Sequence, residues 1–295
     1  MNTKHLILIV IVCSLTMTYC TSDNEQGLPD DMMEQTDEPV VSTEQSETTE
    51  EGQTTPEDIV EQTVLVVYTP KSREVAESLS VTIQQHTQEF INATNIAYKL
   101  SGINVRLAIA DVRSIDFNFT EEVITNDPNA TSLTAITALV DPNDGIVDEI
   151  HIWRDEVNAD IAILKNDFCG GAATPCQSDY VSETLGFADI DGAFALVGNE
   201  SCTQNPFTFA HEIGHIQGCN HQPGSGATNP NAPYANGYVS AMGRFRTIMA
   251  TASADRVGIF SGPDVIWEGF ITGTPELNDS ARGINESAEK IASLR

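Results

Sequence analysis

The eleven residues from His211 to His221 constrain the fold of this chain most, because they combine a helical spacing with a sharp reversal of the backbone. His211 and His215 are four residues apart, which places both imidazoles on one face of a helix, one turn apart. Gly218 predicts the end of that helix, since a residue without a side chain readily adopts the left-handed conformation that turns the chain back. The turn returns His221 towards the other two histidines.

This arrangement predicts a catalytic zinc site. Three imidazoles are suitable ligands for one Zn²⁺ ion, and three protein ligands leave the fourth tetrahedral position for water or substrate. Glu212 is displaced from His211 by about 100° around the helix, so it stays off the metal but within reach of a metal-bound water. We therefore expect His211, His215 and His221 as ligands, Glu212 as the general base, and a zinc-dependent peptidase as the function.

The same stretch resembles the metzincin metallopeptidases at every fixed position of their signature. Met249, within Arg246–Ala250, follows His221 at a suitable distance for their methionine turn. Asp148–Asp155 and Ala159–Leu164 resemble the segments before the site in reprolysin-like (adamalysin-like) bacterial members, and Phe260–Asp264 is similar to their Phe-Ser-Asn-Pro element. The resemblance covers roughly Thr63 to Arg295 and implies that Met249 forms a hydrophobic floor beneath the three imidazoles.

Two positions depart from related families. Many reprolysins carry Asp after the third histidine, where this chain has Gln222, and astacins and serralysins carry Tyr two residues after the Met, where it has Thr251. Because Thr251 replaces that tyrosine, the resemblance implies that no tyrosine stabilises the transition state. The zinc ion and backbone donors are expected to do so instead. It also implies an S1′ pocket lined by the loops between His221 and Phe260; the side chains expected there are Tyr238, Met242 and Phe245.

The expected fold class is α/β (α+β), a metzincin-type catalytic domain over 63–295 with a twisted mixed sheet, long helices and an active-site helix. An upper subdomain over 63–218 would precede a smaller, irregular C-terminal subdomain over 219–295. The expected strands are Val64–Tyr68, Asn104–Asp111, Asp160–Leu164, Cys169–Ala173 and Ala193–Val197. The expected helices are Ser72–Leu100, Leu133–Val140, Ile146–Val157 and the closing segment Asn278–Arg295. By resemblance, the strand at Cys169–Ala173 borders the cleft and binds extended substrate.

The N-terminal part is typical of an exported protein. Residues 1–19 combine a short basic start with an apolar stretch too short to span a bilayer, which predicts a signal peptide. Cys20 is then a candidate for lipidation, although the preceding Tyr19 is bulky, and ordinary signal cleavage is the alternative. Residues 20–62 are acidic and polar, and they predict a disordered tether. We expect an extracytoplasmic protein, either a cell-surface lipoprotein or secreted.

The net charge of −29, from 43 acidic and 14 basic residues, limits the partners. Phosphate backbones demand Lys and Arg, so nucleic acid is excluded, as is adhesion to anionic lipid. Polypeptide substrates remain, with membrane contact only through a lipid anchor, and we expect a monomer. A calcium loop is suggested by Asp141–Gly145, but its Gly is one place early and no Glu falls at the required distance, so we interpret it as a turn.

Four cysteines lie in the exported part of the chain, namely Cys169, Cys176, Cys202 and Cys219. Outside the cytosol, an even number suggests two disulfides, and three connectivities are possible. We expect Cys169 with Cys176 and Cys202 with Cys219. A thiolate ligand role for Cys219 is the alternative.

A different class of function is also open, in which the domain is a non-catalytic, surface-anchored binding or adhesion module that retains the metallopeptidase fold. Degenerate relatives usually lose the base or a ligand, and this chain keeps both, which favours the enzyme.

Overall fold

The structure is a computed structural model, and it describes residues 59–117, 138–166, 193–197, 207–226 and 229–294. The expected signal peptide, Cys20 and almost all of the expected tether lie outside this part of the chain. Within the described residues, no helix is long and apolar enough to cross a membrane.

Four parallel strands form the main sheet. They are β1 (Val60–Tyr68), β2 (Val105–Ser114), β3 (Ile161–Lys165) and β4 (Ala193–Val197), in the order β2-β1-β3-β4. Strands β3 and β4 are buried along their whole length, as expected for parallel strands covered on both faces. The α/β expectation is confirmed. The expected strand at Cys169–Ala173, which would border this sheet, lies outside the described residues.

The first strand starts earlier than the sequence indicated. β1 begins at Val60, ahead of the expected domain boundary at Thr63, so the last residues assigned to the tether belong to the sheet. Gln62 is fully buried and donates from Nε2 to the carbonyl oxygen of Ala288 at 3.1 Å. Polar residues such as Gln62 interrupt the apolar run at the start of β1, so a search for apolar runs does not detect the first residues of this strand.

The long helix expected over Ser72–Leu100 is wrong, because two helices occupy this segment. Helix α1 covers Pro70–Ser78 and α2 covers Ile83–Leu100. Ser80 has φ 60°, and Thr82 starts α2 with a capping box in which the Thr82 and Gln85 side chains bind each other's backbone N–H groups. The second start therefore has its own capping residues, and the left-handed residue ends the first helix.

Three further helices and a hairpin follow in the described part of the fold, besides residues 138–140, which are also helical and belong to the helix expected over Leu133–Val140. Helix α3 covers Glu149–Glu156, α4 covers Phe207–Ile216 and α5 covers Ser280–Ile291. A single 3₁₀ turn covers Ala241–Gly243, and β5 (Ile266–Trp267) pairs with β6 (Phe270–Ile271) as an antiparallel hairpin.

The sheet separates two hydrophobic clusters, and this division decides where α4 lies. Val64, Val66 and Tyr68 of β1 contribute to the larger cluster, while Leu65 and Val67 contribute to the other. Helices α2, α4 and α5 supply apolar side chains to the larger cluster, and α3 supplies Ile150 to the smaller one. Helix α4 is thus held against one face of the sheet, together with residues from the segment after it.

The segment Asp141–Gly145 is a turn, as the sequence indicated. Asp141 accepts a hydrogen bond from the backbone N–H of Asn143 at 3.0 Å, and Asp144 accepts one from Ile146 at 2.8 Å. Gly145 has φ 81°. The carboxylates in this loop therefore bind their own backbone. Among the described residues, the three histidines of the zinc motif are the single group arranged to hold a metal ion.

Candidate metal centre and active site

Helix α4 brings the first three functional side chains of the motif together. Its face towards the sheet is apolar, with Phe209, Ala210 and Ile213 in the larger cluster. His211 and Glu212 are buried at 5% and 1% exposure, so burial of the helix also removes these two polar groups from bulk water. The local sequence fixes their spacing, and the packing of the helix fixes the direction in which they point.

Gly218 ends α4 in the way the sequence predicted. It has φ 90°, and its N–H donates to the carbonyl oxygen of His215 at 2.9 Å. The N–H of Cys219 donates to the carbonyl oxygen of Gly214, also at 2.9 Å. These two bonds are those of a Schellman motif, which satisfies the last carbonyls of a helix while reversing the chain.

The residue before the third histidine is held by a distant segment. The N–H of Asn220 donates to the carbonyl oxygen of Ala235 at 2.8 Å, and the N–H of Gly237 donates to the carbonyl oxygen of Asn220 at 2.9 Å. His221 is then placed so that its Nε2 lies 3.1 Å from the Nε2 atoms of His211 and His215, which are themselves 3.1 Å apart. The three predicted ligands therefore meet at one point.

The hydrogen bonds made by Nδ1 of His211 and His215 determine the protonation state of Nε2 in the same rings. Nδ1 of His211 lies 2.8 Å from the carbonyl oxygen of Ile248, and Nδ1 of His215 lies 2.8 Å from that of Cys219. A carbonyl oxygen only accepts, so both Nδ1 atoms must carry the proton, and in a neutral imidazole each Nε2 then has a lone pair. Two lone pairs 3.1 Å apart repel each other. A cation between them removes this repulsion, whereas a hydrogen bond between two acceptors is impossible.

Burial keeps the imidazoles in this neutral, metal-binding form. It is the main cause that lowers the pKa of His211 well below the ordinary value, with further lowering by the charge of His215. Burial likewise lowers the pKa of His215 to about 4, and it lowers the pKa of His221. All three rings are therefore unprotonated near pH 7, as ligands must be.

The geometry fits a small tetrahedral cation. Two nitrogens bound to one zinc ion at roughly 2.0–2.1 Å lie about 3.3–3.4 Å apart in a tetrahedral site. The Nε2 separations of 3.1 Å are only slightly shorter. The donor set consists of three nitrogens from neutral imidazoles, which suits zinc among the common divalent ions.

A family model matches the part of the chain that carries this site. The sequence model of the family described as Metallo-peptidase family M12B Reprolysin-like matches residues 60–271, a range that contains the four strands, α4 and all three histidines. The chain belongs to this family. The expected reprolysin-like resemblance is confirmed.

Among curated proteins, this reprolysin-like chain is similar to several peptidyl-Asp metalloendopeptidases. The one from Stenotrophomonas maltophilia (strain R551-3) is 27% identical over 222 residues, which cover 72% of this chain and 48% of the relative. The one from Xanthomonas campestris pv. campestris is 28% identical over 240 residues, which cover 79% and 51%. The chain thus spans about half the length of these relatives.

A solved structure shares the fold. The structure titled "Structure of a chaperone-substrate complex" matches with a TM-score of 0.56 and 17% sequence identity. The match covers 81% of this chain and 35% of that one. At this identity the likeness concerns the fold alone.

Met249 of the reprolysin-like domain lies directly against α4. It is fully buried, and it follows Ile248, whose carbonyl oxygen accepts the hydrogen bond from His211. A Cβ at Gly214 would lie 2.4 Å from the Met249 sulfur and 3.2 Å from the Phe260 ring. The glycine in the middle of the helix is therefore needed to let the methionine and the helix approach each other.

The two departures from related families contact each other. The backbone N–H of Thr251 donates to Oε1 of Gln222 at 2.8 Å. Gln222 follows the third histidine and Thr251 comes two residues after Met249, so this bond links the turn that carries His221 to the methionine turn. The sequence identified both positions without indicating that they pair.

The side chains expected in the S1′ region occupy different environments. Tyr238 and Phe245 have ring centroids 6.3 Å apart, and Phe245 is buried at 6% exposure. Met242, in contrast, is 84% exposed on the 3₁₀ turn, with φ 65°. The first two form a packed aromatic pair, and Met242 projects into solvent.

The expected Cys202–Cys219 disulfide is wrong, because Cys219 is a free, buried thiol. Its sulfur lies 3.6 Å from the carbonyl oxygen of Ser280, at the start of α5. Burial raises the pKa of this thiol to about 12, so it is neither a thiolate ligand nor part of the histidine cluster. The side chain instead joins the larger hydrophobic cluster between the turn and α5. Cys169, Cys176 and Cys202 lie outside the described residues.

Sequence reasoning missed two features around the site. A buried chain of side-chain hydrogen bonds runs from Tyr98 to Gln217 at 2.9 Å and from Gln217 to Gln62 at 2.8 Å, which fixes the residue before Gly218. The second feature is the pair Arg246 and Arg256, whose charges help to lower the pKa of His221. The excess of arginine over acidic residues in residues 222–260 could have indicated the arginine pair. The network of Tyr98, Gln217 and Gln62 has no corresponding pattern in the sequence.

Proposed function

We propose that this reprolysin-like domain is a zinc-dependent metalloendopeptidase that hydrolyses peptide bonds in proteins outside the cytoplasm. The observation that carries the proposal is the meeting of three Nε2 atoms, 3.1 Å apart, of which at least two bear lone pairs directed at the same point. A structural zinc site would be closed by a fourth protein ligand. Among the described residues no fourth metal-binding side chain joins the group.

The residues that would hold zinc are His211, His215 and His221. When bound, the metal supplies Lewis acidity: it lowers the pKa of a water ligand towards about 7 and polarises the scissile carbonyl. The carbonyl oxygens of Ile248 and Cys219 hold two of the imidazoles in the required tautomer, which is the orienting role of outer groups at metal sites.

Glu212 is the residue to which we assign proton transfer. It neighbours His211 on α4 and is buried at 1% exposure, so its carboxylate acts in a medium of low polarity. It accepts a proton from the attacking water and passes that proton to the amine that leaves when the peptide bond breaks.

We further propose that cleavage takes place beside aspartate. The two relatives described above are named peptidyl-Asp metalloendopeptidases, and each shares more than a quarter of its aligned residues with this chain. The export of the domain, with either a lipidated Cys20 or a freely secreted form, is part of the same proposal. Fractionation of the producing cells, with and without Cys20→Ala, tests it: activity confined to the cytosol would contradict export.

The experiment that tests the function compares the wild type with Glu212→Gln. We expect both proteins to bind one zinc ion per chain, since the histidines are unchanged, and hydrolysis of casein to fall by about 10²–10⁴-fold, the usual contribution of a general base. A chelator should abolish the wild-type activity, and added Zn²⁺ should restore it.

Glu289→Gln is the matched control, because Glu289 is an exposed glutamate on α5, far along the chain from the motif. Unchanged hydrolysis by Glu212→Gln would refute the assignment of the base. A wild-type protein that binds zinc but cleaves no polypeptide would instead support the non-catalytic binding module.

A further inference from the structure

The turn between the second and third histidines, residues 217–221, packs against helix α5, which supplies no metal ligand itself. Ser280, Gly283 and Ser287 of α5 are three and four residues apart, so they share one face of the helix. We call these three residues the turn-binding face of α5. Each of them contacts the turn or the segment that is bonded to it.

The first and last residues of the turn-binding face bind the turn directly. The Cys219 thiol donates to the carbonyl oxygen of Ser280 at 3.6 Å. The hydroxyl of Ser287 donates to the carbonyl oxygen of Gln217 at 2.9 Å. Cys219 in turn accepts, through its own carbonyl oxygen, the hydrogen bond from Nδ1 of His215. A displacement of the turn relative to α5 therefore also displaces the group that orients His215.

Gly283, in the middle of the face, lies against the segment that holds the third ligand. A Cβ at Gly283 would lie 2.6 Å from the Cβ of Ala235 and 3.9 Å from the Cys219 sulfur. The carbonyl oxygen of Ala235 accepts a hydrogen bond from the N–H of Asn220 at 2.8 Å. The absence of a side chain at residue 283 thus allows Ala235 to reach the residue before His221.

His221 depends on this backbone support more than the other two ligands do. Nδ1 of His211 and Nδ1 of His215 each bind a carbonyl oxygen. Within the described part of the chain, no hydrogen bond joins Nδ1 of His221 to another residue. Its position therefore depends on the backbone bonds of Asn220, one of which is made to Ala235.

A side chain at residue 283 would displace the Ala235 segment rather than the helix. Four side chains anchor α5 in the larger hydrophobic cluster, namely Ala281, Ile284, Ala288 and Ile291. Residues 229–237 are irregular and have no helical or strand ladder of their own to resist displacement. Two Cβ atoms cannot remain 2.6 Å apart, so Ala235 would move and take its bond to Asn220 with it.

We propose that Gly283 is a positioning residue for the metal site. It lets Ala235 hold the backbone of the third ligand, so a helix that binds no metal sets the coordination geometry. This inference rests on the proposed function, since it requires the three histidines to bind the metal, and it names the distant residue on which that binding depends. Removal of an outer partner of metal ligands typically lowers metal affinity by about 10- to 100-fold.

The test compares Gly283→Ala with the double variant Gly283→Ala, Ala235→Gly. The second change removes the Cβ that the first would contact, so it restores the space without restoring the glycine. Zinc affinity, measured by competition with a chromophoric chelator, should fall by about 10- to 100-fold in the single variant, and the double variant should recover most of this loss. The visible absorption of the cobalt-substituted proteins, which reports the geometry of the ligands, should change and recover in the same order.

Ile291→Val is the matched control. It removes a buried methylene from the same helix, about two turns beyond Gly283, and lowers stability through the larger hydrophobic cluster. Urea unfolding should show that loss, while the zinc affinity and the cobalt spectrum remain those of the wild type. The proposal would be overturned by an unchanged zinc affinity and spectrum in Gly283→Ala, by an equal change in Ile291→Val, or by a double variant no better than the single one.

Ser287→Ala keeps the proposal testable if Gly283→Ala does not fold. It removes from the same face the hydroxyl that donates to the Gln217 carbonyl oxygen, and it should weaken zinc binding by up to about 10-fold, the value of one neutral hydrogen bond. A zinc affinity and cobalt spectrum identical to those of the wild type would then refute the proposal. Failure of the proposed function would look different, because the wild type itself would bind no zinc or would bind zinc and cleave no casein.

Discussion

Helix α4 and the segment after it place functional side chains by different means. On α4, the period of the helix alone sets His211 and His215 one turn apart and Glu212 beside them. In residues 219–260, which are mostly irregular, several positions are fixed by bonds to residues outside their own turn, such as Asn220 to Ala235 or Ile248 to Ile259. Local rules therefore place His211, Glu212 and His215, whereas long-range contacts place His221 and Arg256.

Removing one ligand from each region gives the largest expected effect. His215→Ala and His221→Ala should both lose zinc and peptidase activity, because two imidazoles cannot hold the ion in a site that needs three. The loss in affinity should exceed the roughly 10- to 100-fold that follows removal of an outer-shell partner. Zinc content after dialysis and casein hydrolysis measure it.

We also expect His215→Ala and His221→Ala to differ in the free energy of unfolding of the metal-free protein. His215 lies on the helix and donates to the Cys219 carbonyl oxygen, which is part of the turn, so its loss should destabilise the metal-free protein more than the loss of His221. Urea unfolding in the presence of a chelator checks this. Full zinc occupancy in either variant would contradict the assignment of the ligands.

Gly214→Ala tests whether helix propensity or tertiary packing decides the stability of the protein at this position. Within an isolated helix, alanine is more favourable than glycine by about 1 kcal/mol. Here the added Cβ would lie 2.4 Å from the Met249 sulfur, so we expect a net loss of about 1–3 kcal/mol from overpacking. Thermal or urea unfolding of the metal-free protein measures the free energy of unfolding.

The double variant Gly214→Ala with Met249→Ala gives the control for this prediction. If the two side chains compete for one space, the double variant should lose less stability than the sum of the two single variants. Additive losses, or a Gly214→Ala protein more stable than the wild type, would show that the methionine turn does not pack on α4 in this way.

Gln222→Ala should have the smallest effect. It removes the acceptor for the Thr251 N–H, and the bond lies at the surface, where water replaces the glutamine oxygen. We expect a loss of about 0.5–1.5 kcal/mol in the free energy of unfolding and a modest decrease in zinc affinity. Isothermal titration with Zn²⁺ and urea unfolding give the two values.

Thr251→Ser is the matched variant, since it keeps the backbone donor at 2.8 Å and changes only the side chain, whose hydroxyl lies 3.4 Å from the same oxygen. It should be close to the wild type in both measurements. A larger loss in Thr251→Ser than in Gln222→Ala would mean that the backbone bond is not what joins the two turns.

Much of the fold near the site was predictable because its signals are local. The buried strand β4 has the expected bounds, Ala193–Val197, since five apolar residues in succession suit a strand covered on both faces. Gly218 adopts the left-handed conformation expected of it. The break between α1 and α2 was missed although Thr82 and Gln85 form a capping box, because the apolar spacing continues across the break and conceals it.

Cys219 shows the limit of such reasoning. The even number of cysteines after Cys20 favoured a disulfide for Cys219. The position of its side chain, however, depends on the Schellman turn and on α5, which begins 61 residues later in the chain. Arg256 was missed for the same reason, since its contact with Thr208 spans 48 residues. Pairing across such distances depends on how the elements pack, and composition does not encode it.

The sequence by itself determined which side chains of this domain could hold a metal ion, because the number, type and helical spacing of the three histidines follow from residues close together in the chain. Only the tertiary structure decided which carbonyl oxygens fix the tautomers of His211 and His215 and where the free thiol of Cys219 lies. The physical reason is range: a helix period and a glycine turn act over a few residues, whereas burial and packing join residues far apart in sequence.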